Sequence, residues 1–80
     1  ALPICTIAAL EAAAGMLALG GVLSVVAYPG HNPGMLEAEA VAGWMQALDS
    51  GRFEVQRVCA VNRLHPAPVL WLAMRRDFKG

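Results

Sequence analysis

No glycine-rich phosphate loop, no cysteine framework and no excess of either charge occurs in these 80 residues. Each gap removes a class of function. Without a G-x-G-x-x-G run, the chain carries no dinucleotide-binding fingerprint of its own. Two cysteines, Cys5 and Cys59, are too few and too far apart for a disulfide scaffold or a zinc motif. Adding His31 and His65 does not produce metal-ligand spacing. A reduced, cytoplasmic setting with two buried thiols is the expectation. Six Lys and Arg balance six Asp and Glu, so no surplus cation faces a phosphate backbone. The cations do fall late in the chain, at Arg52, Arg57, Arg63, Arg75, Arg76 and Lys79. A solvated sheet edge explains that bias, and a local basic patch is the alternative. No basic segment precedes an apolar core at the start, so no signal peptide is expected.

The stretch from Ala12 to Tyr28 lacks charge altogether, which raises a membrane span. It also lacks a Trp/Tyr belt and flanking cation clusters. Gly20-Gly21 divides it into an Ala-rich half and a β-branched half, the mark of a helix giving way to a strand. No membrane partner is expected.

What remains is mostly apolar. Hydrophobic residues make up 58% of the chain and charged ones 15%. A chain of this size buries only about 60–65% of its unfolded surface. So much apolar matter on so little interior points to self-association or to a piece of a larger fold.

The patterning predicts α-β-α-β-β. Thr6 is placed to cap a first helix over 7–19, whose inward face carries Ile7, Leu10, Ala14, Leu17 and Ala18. Its Ala-rich opposite face suggests partial burial there too. Gly20 or Gly21 supplies a left-handed residue, and Val22 to Tyr28 reads as a strand covered on both faces. Met35 to Leu48 is the second helix. Glu37, Val41, Trp44, Met45 and Leu48 share one side of it, and Glu39, Gly43 and Gln46 the other. Phe53 to Val61 alternates like an edge strand, with Arg57-Val58 disturbing the phase. Val69 to Met74 is continuously apolar and should be interior. A short loop makes the last two strands antiparallel neighbours. The strand order that follows is first, third, second, with the last strand antiparallel between two parallel ones. The far side of the first strand is then an open edge where a second copy can pair.

Candidate chemistry collects between the first strand and the second helix, in Tyr-Pro-Gly-His-Asn-Pro-Gly, residues 28–34. Open α/β sheets place ligands there, beyond the carboxyl ends of strands. His31 is suited to accept a proton or orient a substrate; a loop histidine bonded to local backbone is the plainer account. Tyr28 offers a ring and a hydroxyl to a base, or simply packs. Glu37 stands in the first helical turn, where it either orients His31 or answers the helix dipole. Gly30 and Gly34 serve backbone geometry, or anion capture at the helix start. Asn62, closing the second strand, reaches a substrate or shapes a turn. Trp44 and Trp71 read as core.

The same residues carry a resemblance. Thr6 with AALEAA, LALGGVLSVVAYPGH, Gly34-x-x-Glu37, Trp44, Leu48 and VNRLHPAPVLWLA resemble the end of the putative rRNA methylase family. That family belongs to the class I S-adenosylmethionine-dependent methyltransferases, and some members methylate the aminomethyl group of a modified wobble uridine in tRNA. The likeness runs from Thr6 to Arg76. The Tyr-Pro-Gly-His stretch with Glu37 is its most specific part. It implies a Rossmann-like α-β-α-β-β unit, residues 1–80, forming the C-terminal part of a methyltransferase domain. By the same resemblance, Tyr28, His31 and Glu37 lie near the acceptor, with Asn62, Gly30 and Gly34 toward the substrate. The cofactor-binding half is not in this sequence, and Ala1 to Cys5 departs from the family's polar segment. No binding of S-adenosylmethionine by the chain alone is therefore expected, and RNA is a partner only beside the missing half. The expectation from a different class is a non-catalytic α/β protein that self-associates through the strand edge at 22–28.

Overall fold

A computed structural model describes residues 3–28, 34–65 and 67–77, with the side chains of 3–5 and 34–35 left out. The elements are α1 (Pro3–Gly15), β1 (Val22–Ala27), α2 (Gly34–Gln46), β2 (Phe53–Val58) and β3 (Val69–Arg75). The sheet order is β1-β3-β2, and β3 is antiparallel to both neighbours. This is the α/β topology that the sequence pattern predicts.

Helix α1 begins and ends earlier than expected. Pro3 lies in its first turn, where a missing N–H costs nothing and the fixed φ favours the helix. Thr6 is therefore one turn inside the helix and is not its cap. Gly15 ends it, because glycine disfavours the helical state by about 1 kcal/mol relative to alanine. The last turn tightens: Met16 N–H donates to Ala13 C=O at 3.1 Å and Leu17 N–H to Ala14 C=O at 3.2 Å. Leu10 and Ala14 are buried and Ile7 and Leu17 half-buried, but Ala18 beyond the helix is exposed. The Ala-rich far side, with Ala8, Ala9 and Ala12, is also exposed. Gly20 supplies the left-handed residue, at φ 84°. It sits in the turn before β1, donating to Arg75 C=O at 2.7 Å. At Gly21 a Cβ would lie 3.0 Å from Ala18 C=O and 3.1 Å from Leu17 Cδ2, so a side chain there would crowd the turn.

The two helices cover a single face of the sheet. Leu10, Val41 and Met45 meet Ala27, Trp71 and Ala73 in the core, with Leu23, Val25, Phe53, Val55 and Val69 packed around them. The stripe of α2 is as the pattern predicts, with Val41 and Met45 buried and Glu39, Gly43 and Gln46 exposed. Trp71 is buried and Trp44 half-buried.

Strand β1 departs from its sequence pattern. Its residues alternate exposed and inward, so the apolar run is covered on one face. The register shows why. Val22, Met74 and Glu54 form one row of the uncovered face, Ser24, Leu72 and Gln56 the next, and Val26, Leu70 and Val58 the third. None of the described elements lies over these rows. Strand β2 also differs. It stops at Val58, where β3 offers Leu70 and Pro68 lies just beyond. Its phase is not broken at Arg57-Val58. Arg57 takes an inward position with its guanidinium 5.9 Å from the Trp71 ring centroid, so a cation stands where an apolar side chain would. Cys59, expected to be buried, is exposed past the strand; the Cys5 side chain lies outside the described residues. Among the described residues no helix is long and apolar enough to cross a membrane.

Candidate functional site at the carboxyl end of strand β1

Parallel strands β1 and β2 end at the same edge of the sheet, since Ala27 pairs with Val69 and Val58 with Leu70. Helix α2 starts at this edge because it follows β1. Tyr28 leaves the strand here with 67% of its surface exposed. Beside it is a small cleft of about 150 Å³, lined by residues including Thr6, Val26, Tyr28, Glu37 and Val41. Its floor is apolar and its polar groups come from three elements, α1, α2 and the end of β1.

Glu37 is held in place. The Thr6 hydroxyl donates to Glu37 Oε1 at 2.6 Å, bridging the two helices across 31 residues of sequence. A half-buried carboxylate with a fixed donor keeps one orientation, while its first-turn position aligns it with the helix dipole. Thr6 is the residue that sequence reasoning missed. Its signal was present in the i, i+4, i+8 series Thr6, Leu10, Ala14, which puts the hydroxyl on the inward stripe.

The cleft thus brings together Tyr28 and Glu37 of the expected residues. Gly34 opens α2 with its backbone. Asn62 lies exposed in the β2–β3 loop at this edge, outside the lining of the cleft. Gly30 and His31 lie outside the described residues. At about 150 Å³ the cleft is smaller than the roughly 300–1,000 Å³ of a pocket for a drug-sized ligand. The polar groups lining it are Thr6, Tyr28 and Glu37. The arrangement suits the acceptor side of a reaction: one anchored carboxylate, one exposed ring and an apolar wall.

The described arginines divide between the two ends of the sheet. Arg52, Arg75 and Arg76 lie at the opposite end, where Arg76 Nε is 3.5 Å from Glu54 Oε1. Arg75 there donates to the carbonyls of Arg52 and Arg76. Arg57 and Arg63 lie toward the candidate site.

Comparisons with known proteins agree with this fold. The family model described as "Putative rRNA methylase" matches residues 2–74. A solved putative rRNA-methylase from Clostridium thermocellum is 33% identical, with a TM-score of 0.89 over 94% of this chain. A putative methyltransferase from Streptococcus mutans, solved in complex with SAH, is 27% identical with a TM-score of 0.84, also over 94%. The chain spans 40% and 41% of the length of those two structures. A search of curated proteins found no match.

Proposed function

The chain belongs to the rRNA methylase family, and from that premise we propose that it is the acceptor-side flank of an S-adenosylmethionine-dependent RNA methyltransferase. The observation that supports this most is the cleft at the end of β1, lined by Tyr28 and by a Glu37 carboxylate anchored by Thr6. Methyl transfer to a neutral amine, such as an aminomethyl group on a tRNA or rRNA base, needs alignment and removal of a proton. In this reading Glu37, acting with His31, orients the acceptor and takes that proton. Tyr28 lies against the base, and Asn62, Gly30 and Gly34 border the substrate. The methyl donor belongs to a second half of the sheet, joined to this one beside β1. The 80 residues alone then form a C-terminal unit without activity in a cytoplasmic enzyme.

Calorimetric titration of the 80-residue chain with S-adenosylmethionine tests this division of labour. No binding is expected. Micromolar affinity would show that these residues hold the donor themselves and overturn the assignment.

A second reading is favoured by the open edge and face. Among the described residues β1 pairs only with β3, and Val22 and Val26 are about half exposed on the uncovered side. An apolar edge strand of this kind recruits another strand. The isolated chain is expected to sediment as a dimer or larger at micromolar concentration, and Val26→Lys to return it to a monomer. A monomeric parent chain would refute this.

A further inference from the structure

Resting on the methyltransferase reading, we propose that the β2–β3 loop, residues 59–65, with Arg57 behind it, is the element that docks single-stranded RNA beside the cleft. The loop stands at the same sheet edge as Tyr28, because Val58 and Val69 flank it and pair with β3 and β1 at that end. Two of its side chains are almost wholly in solvent, Val61 at 93% and Leu64 at 96% exposed. Between and beside them stand Asn62, Arg63 and His65, all exposed. Among the described residues neither Arg57 nor Arg63 has a carboxylate partner, while Arg76 at the other end does. The acidic groups on this side are Glu37, engaged by Thr6, and Glu39, exposed on α2. Cations with no carboxylate partner among the described residues, alternating with apolar side chains at the mouth of the site, suit a flexible polyanion with flat bases. Arg63 and Arg57 take backbone phosphates flanking the target nucleotide. Val61 and Leu64 lie against neighbouring bases, and Asn62 and His65 hydrogen-bond their edges. Zero net charge does not oppose this, because at the opposite end Arg76 is paired with Glu54 and Arg75 is bonded to backbone carbonyls.

Fluorescence anisotropy of a labelled single-stranded RNA, about a dozen nucleotides long to suit a site of this size, tests the proposal on the 80-residue chain, which by this proposal binds RNA even without the missing half. Arg63→Ala is expected to weaken binding several-fold and to lower the slope of log K against log salt by about 0.7, one phosphate's worth on a single strand. Arg57→Lys keeps the charge over Trp71 and should bind nearly as well as the parent. Arg76→Ala, at the far end, should change nothing. Val61→Ser with Leu64→Ser should weaken binding without moving the salt slope. Absence of RNA binding by the parent chain overturns the proposal, as does an equal loss from Arg76→Ala. A double Ser variant that alters only the oligomeric state overturns it too, giving the loop to a protein contact. The methyltransferase reading fails separately. If the segment joined to a donor-binding half methylates RNA unaffected by Arg63→Ala, only the loop assignment falls. If Arg63-dependent binding holds but no methyl is transferred, only the reading of the cleft falls.

Discussion

Glu37→Gln lowers methyl transfer by about 10²–10⁴-fold when this segment is joined to a donor-binding half, the range expected for loss of a positioned general base. The amide is nearly isosteric, and its oxygen still accepts from the Thr6 hydroxyl, so the helix pair stays closed. What is lost is the capacity to take a proton. The loss should therefore appear in kcat under single-turnover conditions, with RNA affinity unchanged. Thr6→Val provides the companion measurement. It leaves the carboxylate but removes the donor that fixes it at 2.6 Å. A freed side chain spends part of its time misaligned, and a loss of about tenfold corresponds to 1.4 kcal/mol of positioning. Thr6→Ser should recover most of it. Full activity in Glu37→Gln would leave the carboxylate as a first-turn charge answering the helix dipole, worth about 0.3–1 kcal/mol of stability.

How far this could be read from sequence differs from element to element. The stripe Glu37, Val41, Met45 was legible because a long amphipathic helix repeats its signal over several turns. The order β1-β3-β2 was legible because the last strand is continuously apolar and so reads as interior, between an apolar first strand and a charged second one. Strand β1 was misread for a physical reason. An apolar run records the surroundings for which the strand is suited, and among the described residues none forms a layer over Val22 and Val26. Arg57 hid the phase of β2, since period-2 reading treats arginine as outward while the Trp71 face accepts a cation. Within the cleft, the nearness of Tyr28 and Glu37 follows from a strand running into a helix. The Thr6 contact does not follow in that way, because it depends on how α1 lies against α2. Local pattern carries no information on that packing.

Met45→Ala unfolds the isolated chain or leaves it close to its midpoint at room temperature. Met45 is 0% exposed, at the centre of the cluster formed with Leu10, Val41, Trp71 and Ala73. Removing a side chain of this size from a packed interior costs about 2–5 kcal/mol, the transfer loss plus the cavity left behind. Domains are stabilised by about 0.05–0.15 kcal/mol per residue, or roughly 4–12 kcal/mol at this length. This chain belongs near the lower end, because its helices cover one face of the sheet and the rows at Val22, Ser24 and Val26 add nothing until another layer or copy meets them. The cavity term is thus comparable with the whole. Urea unfolding followed by tryptophan fluorescence should show the cooperative transition of the parent lost or shifted almost to zero denaturant. Met16→Ala, at an exposed position, should stay within about 0.5 kcal/mol. If the parent owes its stability to self-association, its midpoint rises with protein concentration and Met45→Ala is partly rescued at high concentration. A concentration-independent midpoint together with a small Met45→Ala effect would mean that the interior contributes little and that another element holds the unit together.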